Sequence, residues 1–559
     1  MKIFLAQQNY HIGHLEHNVQ KIIEAIETAK GQGADLILFS ELSVCGYPPR
    51  DLLYFDDFIV QCEKAISNIA GHTQGIAAIV GAPRRNPSPL GKNLFNAAYF
   101  LADGQVRQII HKTCLPTYDV FDEDRYFAVA SDWKTVEFKG KKIAITICED
   151  IWNMGDDPLY VKCPMDELTG QHPDFMVNLS ASPFDYTHDQ DRKAILKANV
   201  LKYGIPVFYC NAVGSQTEIV FDGQSLVFDK SGQLCGELAS FKEDLQGFIL
   251  NEDGFIELGN HLPQKVADEI SDPVYFEPEL NIGQIYQALV LGIRDYFEKM
   301  GFSKAILGSS GGIDSAVTLA IACDALGAEN VHAVLMPSQF SSAHSVEDAV
   351  LLSTRLGNPY STIPIKDVFT SFMKELEPHF AGKPFGLAEE NNQSRIRGNV
   401  LMTLANKFGQ ILLNTSNKSE LATGYGTLYG DMAGGLAILG DCYKLQVYAL
   451  ARHINRFKEI IPDNIITKPP SAELRPNQKD SDSLPEYEIL DPILYQYIEH
   501  QKSPADIKAM GMEEALVDKI LKMVNTNEYK RNQFCPIIRV SPKAFGPGRR
   551  MPIVGKYLS

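Results

Sequence analysis

The sequence lacks several features that mark other classes of protein. No segment approaches the ~18 uninterrupted apolar residues of a membrane span, and the apolar run after Met1 is too short for a secretory signal. There is no CxxC pair, heptad array, short-period repeat or low-complexity tract. Positive charge is in deficit, with 52 Lys and Arg against 69 Asp and Glu and a net charge of −17. These absences argue against a membrane protein, a disulfide scaffold, a disordered chain, and broad electrostatic binding to nucleic acid or anionic lipid.

The composition that remains is that of an ordinary soluble globular protein, with 45% hydrophobic and 22% charged residues. A chain of 559 residues predicts about three to four structural units at roughly 150 residues each. Its ten cysteines lie scattered, mostly inside apolar stretches, which predicts reduced thiols in a cytoplasmic protein. Any anionic substrate therefore needs a local basic pocket, and a cysteine in a special setting becomes a candidate nucleophile.

The first half of the chain alternates short apolar, β-branched runs with helical stretches. This alternation predicts an α/β unit with a largely buried sheet, whose functional side chains belong at the carboxyl ends of the strands. Residues 36–39 lead to Glu41, and residues 143–147 lead to Cys148. Both side chains are therefore expected at a strand end.

Turn residues and alternation predict β-hairpins around 221–232, and helical periodicity over 284–298 followed by a strand over 304–307 predicts a second α/β unit. Two polar stretches, 381–392 and 469–485, are long enough for mobile active-site loops and equally fit ordinary surface loops. The predicted organisation is a first domain over 1–262, a Pro- and acid-rich linker over 263–280, and a second domain over 281–559.

Three polar residues at strand ends form a complete set for amide hydrolysis: Glu41, Lys112 and Cys148. A thiolate accepts the acyl group, a carboxylate takes the thiol proton and passes it to leaving ammonia, and an ammonium stabilises the oxyanion. Each residue alone is commonplace, but their order resembles the Glu-Lys-Cys triad of the nitrilase (carbon–nitrogen hydrolase) superfamily. Asn-Leu-Ser-Ala-Ser-Pro over 178–183 is similar to that superfamily's segment beside the nucleophile.

The resemblance implies an αββα sandwich for the first domain. In the glutamine-hydrolysing branch it further implies glutamine contacts by Tyr118, Ser182 and His188. That branch often places Lys or Arg at the last of these positions, so His188 departs from its pattern.

The second half contains a turn of small residues between a strand and an apolar helix: Gly308, Ser309, Ser310, Gly311, Gly312, Ile313, Asp314 and Ser315. Closely approaching backbone N–H groups and a helix N-terminus make such a turn a phosphate cradle. No Lys follows the glycines, unlike in the loop of kinases and GTPases, and Asp314 would repel phosphate unless it held Mg²⁺. The turn resembles the pyrophosphate loop of N-type ATP pyrophosphatases, which implies a Rossmann-like domain with a parallel sheet.

Downstream, residues 411–431 and 389–399 resemble segments of NAD synthetases. The resemblance implies that the turn binds ATP together with Met336, Thr415 and Lys444. It implies contacts to nicotinic acid adenine dinucleotide by Asn391, Arg395, Glu420 and Lys530, with Asp314 and Glu420 holding the metal. Structurally, Arg395 and Arg397 equally fit a solvated helix face. Where ammonia-only synthetases have Lys and Asp, this chain has Leu428 and Gly435.

Together the halves resemble the glutamine-dependent NAD synthetase family. This implies ATP- and Mg²⁺-dependent amidation of nicotinic acid adenine dinucleotide with ammonia from glutamine, a shielded passage for ammonia, and a homo-oligomer built on a dimer of the synthetase half. Two alternatives stay open. The first is another amidotransferase, such as a GMP or asparagine synthetase, although those enzymes use different glutaminase folds. In the second, the first half is a degenerate module that only senses glutamine or nitriles while the second half uses ammonia, although the intact triad argues against this.

Overall fold

The computed structural model describes residues 1–154, 158–257, 274–471, 473–476, 478 and 480–558. It divides the chain into two units, Met1–Asp272 and Pro273–Ser559. The prediction of about three to four units from length alone is therefore wrong, because each unit is larger than the average domain. The predicted boundary at 262 and residues 263–273 of the predicted linker lie outside the described residues. None of the described helices combines the length and apolarity needed to cross a membrane. All ten cysteines are described, and all are free thiols.

The first unit consists of two six-stranded sheets with helices on their outer faces. Its strands are β1 (Lys2–Gln7), β2 (Leu36–Leu38), β3 (Ala77–Arg85), β4 (Leu94–Ala102), β5 (Gln105–His111), β6 (Val136–Phe138), β7 (Lys141–Ile147), β8 (Phe175–Ser180), β9 (Val207–Asn211), β10 (Val213–Gln216), β11 (Ile219–Asp222), β12 (Leu226–Phe228), β13 (Leu234–Glu237) and β14 (Asp244–Ile249). Its helices are α1 (Leu15–Gly31), α2 (Asp56–Gly71), α3 (Pro164–Thr169) and α4 (His188–Tyr203). One sheet has the order β14-β1-β2-β3-β4-β5 and the other β13-β12-β9-β8-β7-β6.

Strand β2 shows how these layers are specified. Leu36 and Leu38 pack between the two sheets, whereas Ile37 packs against the helices α1 and α2, because successive side chains of a strand point to opposite faces. The second sheet buries Ile145 against the first sheet and Met176 under α3 and α4. The layers therefore run helix, sheet, sheet, helix, which confirms the predicted αββα sandwich. Antiparallel pairs β10–β11 and β12–β13 confirm the predicted hairpins.

The second unit surrounds one parallel sheet with helices. Its elements are α5 (Ile282–Met300), β15 (Ala305–Gly308), α6 (Ile313–Leu326), β16 (Val331–Leu335), α7 (Ala343–Leu356), β17 (Tyr360–Thr362), α8 (Lys366–Leu376), α9 (Leu387–Phe408), β18 (Ile411–Asn414), α10 (Lys418–Thr423), β19 (Leu436–Ala437), α11 (Lys444–Ile454), α12 (Asp463–Thr467), α13 (Tyr487–Ile498), α14 (Pro504–Ala509), α15 (Glu514–Thr526) and α16 (Glu528–Arg531). The strand order is β17-β16-β15-β18-β19, and every pair is parallel. This confirms the predicted parallel sheet.

At strand β15 the order in which strands are added to the sheet reverses. From it the chain adds β16 and β17 on one side and later β18 and β19 on the other. Ligands of open α/β sheets bind beyond the carboxyl ends of the strands at such a point, and the predicted phosphate turn follows β15 directly. Helix α5 and strand β15 confirm the elements predicted over 284–298 and 304–307. The loop predicted over 381–392 is wrong in its second part, because α9 begins at Leu387.

Candidate functional site

The predicted triad of the first unit converges in its buried interior. Glu41 follows β2, Lys112 follows β5 and Cys148 follows β7, and all three side chains are buried. The Lys112 ammonium donates a hydrogen bond to Glu41 Oε1 at 2.8 Å. The backbone N–H of Ala181 donates to the other Glu41 oxygen at 3.2 Å. The two sheets thus contribute side chains to a single site.

Burial and neighbouring charge set the protonation of this site. Burial raises the pKa of the Cys148 thiol well above its ordinary value; the Glu41 carboxylate acts in the same direction, while Lys112 opposes it. Burial by itself lowers the pKa of Lys112, but the carboxylates of Glu123 and Glu41 outweigh it and leave that pKa well above its ordinary value. The resting site therefore holds a protonated thiol beside an ammonium and carboxylates. A protonated thiol must lose its proton to a base before its sulfur can attack.

Two further side chains, which no sequence motif indicated, bond to Lys112 and Glu41 in the structure. Glu123 Oε1 accepts a hydrogen bond from Lys112 at 2.8 Å and another from the Tyr47 hydroxyl at 2.9 Å. The Asn96 amide donates to Glu41 at 2.7 Å and to Glu123 at 3.2 Å. Glu123 lies 11 positions from Lys112, and Asn96 lies 55 positions from Glu41, so only the fold brings them together.

The nucleophile occupies a strained backbone position. Cys148 has φ +43° and begins a short 3₁₀ turn over Cys148–Ile151. Its carbonyl accepts a hydrogen bond from the Asn178 amide at 3.4 Å, and the Ser180 hydroxyl donates to Asn178 at 2.8 Å. A left-handed conformation in a residue with a side chain persists only where its surroundings hold it. The predicted segment beside the nucleophile supplies part of that support.

The three predicted glutamine contacts lie in two groups. The Tyr118 hydroxyl donates to both Glu149 oxygens at 3.0 Å, and the Tyr160 hydroxyl donates to one of them at 3.2 Å. Burial raises the pKa of Glu149 above its ordinary value, although Lys112 and the tyrosines lower it. This acid adjoins the nucleophile in sequence, yet residue type and spacing alone did not single it out.

The second group is formed by Ser182 and His188. The Ser182 hydroxyl and His188 Nε2 form a hydrogen bond of 3.0 Å. The His188 ring stacks on Trp152, with ring centroids 4.9 Å apart and the planes 15° from parallel. The residue that departs from the pattern of the glutamine-hydrolysing branch therefore adjoins Ser182, another of the predicted glutamine contacts.

In the second unit, hydroxyl groups hold the turn after β15 in shape. Ser315 Oγ accepts from the Ser310 N–H at 3.3 Å and donates to the Gly312 carbonyl at 3.0 Å. Ser309 Oγ is buried and has no hydrogen-bond partner within the described residues. Gly311 has φ +80°, and a Cβ there would lie 2.1 Å from the Ser345 carbonyl oxygen. The turn therefore keeps donors near a binding space and admits only glycine at this position.

This turn lines a cavity of about 310 Å³ at the carboxyl ends of the strands. The predicted ATP and metal residues on its wall are Gly308, Ser309, Ser310, Gly312, Ile313, Asp314, Ser315, Met336, Thr415, Glu420 and Lys444. Gly311 is the one residue of the turn outside this lining, and it lies close to the backbone of Ser345. The wall also includes Arg397 and Asp431, and, from the stretch predicted as a loop over 469–485, Glu473 and Asp480.

Acidic side chains crowd around one ammonium in this cavity. Lys444 Nζ donates to Asp314 Oδ2 at 2.6 Å and lies 3.7 Å from Glu420 Oε1. The Asn417 amide donates to the other Asp314 oxygen at 2.9 Å. Burial and the Asp314 charge raise the pKa of Glu420 well above its ordinary value, against the effect of Lys444, and burial likewise raises the pKa of Asp480. Negative charge therefore exceeds positive charge here.

These carboxylates fit a divalent cation bound jointly with substrate. Among the described residues, no group of three or more His, Cys, Asp or Glu side chains is arranged to hold a metal. Mg²⁺ is usually held by one or two carboxylates, with substrate phosphates and waters as the other ligands. Asp314 and Glu420 provide two carboxylates beside the phosphate turn, and a cation would offset the burial and the Asp314 charge that together raise the pKa of Glu420.

The remaining predicted substrate residues meet around the loop after α10. Lys530 donates to the carbonyls of Gly424 and Gly426 at 2.7 and 2.8 Å. Asn391 accepts from the Thr427 hydroxyl at 2.9 Å. Arg395 donates to the Leu428 carbonyl at 3.2 Å and is exposed. Three of the four residues predicted to contact the dinucleotide therefore contact one segment, over 424–428, whereas Glu420 lies on the cavity wall.

Arg397 lies in a different environment from Arg395. It is half-buried, lines the cavity and donates to the Met336 carbonyl at 3.1 Å. Burial lowers its pKa, against the effects of Asp431 and Glu473. From the sequence, both arginines equally fit a solvated helix face. In the structure only Arg395 of the two is exposed to solvent.

Comparison with known proteins agrees with this two-site architecture. Residues 2–247 match the carbon–nitrogen hydrolase family model, and residues 285–534 match the NAD synthase model. The chain is 46% identical to the glutamine-dependent NAD(+) synthetase of Synechocystis sp., over 99% of each chain. It is 41% identical to that of Thermotoga maritima, over 100% of this chain and 99% of the relative.

The chain belongs to the glutamine-dependent NAD(+) synthetase family. This result confirms the family that the sequence motifs predicted. Among solved structures, the chain is similar to the glutamine-dependent NAD+ synthetase of Acinetobacter baumannii in complex with ADP. That similarity has 39% identity and a TM-score of 0.77, and covers 100% of this chain and 99% of that one. The family enzyme of Cytophaga hutchinsonii shares the fold, with a TM-score of 0.82 over 100% and 98% of the chains, at 19% identity.

Proposed function

We propose that this chain catalyses the ATP-dependent amidation of nicotinic acid adenine dinucleotide to NAD, with glutamine as the ammonia donor. One observation carries the proposal: a chain of this family holds a buried Glu41–Lys112–Cys148 set in one unit and the Gly308–Ser315 turn with paired acids in the other. Hydrolysis of glutamine and activation of a carboxylate each require one of these sites.

In the first unit, Glu41 takes the Cys148 proton as sulfur attacks the side-chain amide of glutamine. Lys112, held by two carboxylates, stabilises the oxyanion of the tetrahedral intermediate. The C–N bond then breaks, Glu41 returns the proton to the leaving nitrogen, and ammonia departs. Water, deprotonated by Glu41, cleaves the glutamyl thioester and regenerates the thiol. We assign glutamine contacts to Tyr118, which bonds Glu149 next to Cys148 in the chain, and to the bonded pair Ser182 and His188.

In the second unit, a carboxylate oxygen of nicotinic acid adenine dinucleotide attacks the α-phosphorus of ATP, and pyrophosphate leaves. Ammonia then attacks the acyl carbon of the adenylate, and AMP departs. The turn of Gly308–Ser315, with Thr415 and Lys444, provides N–H, hydroxyl and ammonium donors for the phosphates. We assign the dinucleotide to the surface formed by Asn391, Arg395, Glu420 and Lys530.

The metal belongs to this second reaction. We assign Mg²⁺ to Asp314 and Glu420, where it would neutralise phosphate charge and stabilise the charge that develops during transfer. Lys444 lies between the same carboxylates and balances part of their charge. Asn417 fixes the direction of the Asp314 carboxylate.

We also propose that the enzyme works in the cytoplasm as a homo-oligomer built on a dimer of the synthetase unit. The free thiols support a reducing compartment, and the dimer follows from the family resemblance. Sedimentation of the full chain, and of the second unit expressed alone, tests this arrangement. A monomer in both would refute it.

The deciding experiment supplies nicotinic acid adenine dinucleotide, ATP and Mg²⁺ with either glutamine or ammonia, and follows NAD, AMP and glutamate. Cys148→Ala should abolish glutamine-driven synthesis and preserve ammonia-driven synthesis. Cys62→Ala, which removes another buried thiol of the same unit, should preserve both. If Cys148→Ala still used glutamine, or if the first unit sensed glutamine without hydrolysing it, the proposal would be wrong.

A further inference from the structure

Asp150 connects the two sheets of the first unit beside the reactive thiol. The side chain is buried and lies two positions after Cys148. Its Oδ2 accepts a hydrogen bond from the Ile147 N–H at 2.9 Å. Its Oδ1 accepts from the N–H groups of Thr113 at 3.0 Å and Cys114 at 2.8 Å. One carboxylate therefore binds three backbone donors from two separate segments.

One segment ends a strand of the second sheet and the other follows a strand of the first sheet, and each adjoins a different proposed catalytic residue. Ile147 ends β7 in the second sheet and directly precedes Cys148, whereas Thr113 directly follows Lys112 after β5 in the first sheet. Every Asp150 bond therefore lies within two residues of a reacting side chain. The Asp150 carboxylate spans from the backbone of the nucleophile to the backbone of the oxyanion-stabilising cation.

The need for such a connection follows from the geometry of Cys148. Its φ of +43° is strained for a residue with a side chain, and the bond from the Ile147 N–H fixes the Thr146–Ile147 peptide, one residue before it. Bonds from backbone N–H groups to a carboxylate are stronger than those between neutral groups. An acid at position 150 thus holds both the strained turn and the strand end that carries Lys112.

We propose that Asp150 is a positioning residue that sets the distance and orientation between Cys148 and Lys112 for glutamine hydrolysis. It touches no reacting atom itself and acts through the backbone on both sides of the site. The inference rests on the proposed hydrolysis of glutamine. It assigns Asp150 a role in turnover rather than in substrate affinity, because none of its bonds involves Tyr118, Ser182 or His188.

Two variants of the full chain separate shape from charge. Asp150→Asn keeps the side-chain volume but replaces one carboxylate oxygen with an NH₂ group. That group cannot accept a hydrogen bond, so at least one of the three backbone N–H donors loses its acceptor. Asp150→Glu keeps the charge and moves the carboxylate by one methylene. Since a misplacement of about 1 Å can cost roughly a hundredfold in rate, we expect the kcat for glutamine hydrolysis to fall by roughly that factor. The KM for glutamine should stay within about threefold, because uniform binding is unchanged.

A matched control comes from Asp229 in the same unit. It is buried and also accepts three hydrogen bonds, from the Ser231 N–H, the Ser231 hydroxyl and the Gln233 N–H. It lies in the turn between β12 and β13, and these three bonds stay within that turn. Asp229→Asn should lower thermal stability while it leaves kcat and KM for glutamine near the wild-type values.

Ammonia-driven NAD synthesis, measured on the same preparations, reports the integrity of the rest of the chain. We expect both Asp150 variants to retain it while glutamine turnover falls. Near-wild-type kcat in either variant would overturn the inference, as would a rise in KM without loss of kcat. Parallel loss of ammonia-driven synthesis in both variants would also overturn it, because Asp150 would then be needed for folding.

Failure of the proposed function can be distinguished from failure of this inference. If the wild-type chain did not hydrolyse glutamine, the proposed function itself would be wrong. The placement of Cys148 beside Lys112 is still measured without substrate, by the rate at which iodoacetamide alkylates Cys148. Asp150→Glu, which preserves charge, should slow that alkylation several-fold, and an unchanged rate would contradict the positioning role.

Discussion

Glu123 accepts a hydrogen bond from the Lys112 ammonium at 2.8 Å. Glu41 accepts from the same nitrogen at the same distance, so one buried cation lies between two carboxylates. The Tyr47 hydroxyl and the Asn96 amide donate to Glu123 and fix its position. Lys112 is thereby held in place by an acid that does not need to move during the reaction.

This pairing predicts the effect of Glu123→Gln. The glutamine retains an acceptor oxygen but removes one of the two charges that raise the pKa of Lys112. We expect the kcat for glutamine hydrolysis to fall by roughly ten- to a hundredfold, within the range for a group that supports acid–base or oxyanion chemistry. Steady-state kinetics of glutamate release measure it. Ammonia-driven synthesis is the control, and equal loss of both activities would contradict this account.

Gly311→Ala should disable the synthetase reaction with either nitrogen source. The left-handed conformation costs a residue with a side chain roughly 1–2 kcal/mol, and the new Cβ would meet the Ser345 carbonyl at 2.1 Å. The phosphate turn must therefore move, which raises the KM for ATP. Gly357→Ala is the matched control, since it has a similar φ of +79° and open surroundings. Similar ATP kinetics for the two variants would show that the contact with Ser345 is unimportant.

Arg397→Gln should weaken ATP use more than Arg395→Gln does. Arg397 lines the cavity beside Met336, whereas Arg395 is exposed and donates to the Leu428 carbonyl. Loss of a charge-assisted contact to phosphate corresponds to roughly 1.5–3 kcal/mol, or about ten- to a hundredfold in KM. The KM values for ATP and for the dinucleotide, measured separately, distinguish the sites. A larger effect on ATP in Arg395→Gln would reverse this assignment.

Asp491 predicts a pH-dependent stability. Burial raises its pKa to about 7, although bonds from the Ser419 hydroxyl and the Leu445 N–H lower it. Because the folded-state pKa exceeds the ordinary value of 3.8, its contribution to stability is full below about pH 4 and is lost as the pH rises to about 7. Calorimetry should therefore show the wild-type melting temperature falling relative to Asp491→Asn across this interval. A difference independent of pH would refute the prediction.

The sequence predicted the architecture well because its signals are local. Apolar runs followed by polar residues identified the ends of β2 and β7, and the small-residue turn identified the end of β15. Family resemblance added roles for Cys148, Glu420 and Lys530. The roles given to individual site residues remain predictions, which the variants above test.

What the sequence by itself determined was the two-unit α/β organisation and the chemistry available to each unit, since strand periodicity, turn composition and motif spacing are properties of short segments. Only the tertiary structure decided which side chains meet. Glu123 contacts Tyr47, 76 positions away, and Asp150 contacts Thr113 and Cys114, 37 and 36 positions away, beyond a strand of the other sheet. No local pattern encodes such contacts. Arg395 and Arg397 differ in burial because two residues along a helix correspond to a rotation of about 200° around its axis. Their side chains therefore lie on nearly opposite sides, and packing buries only one of them.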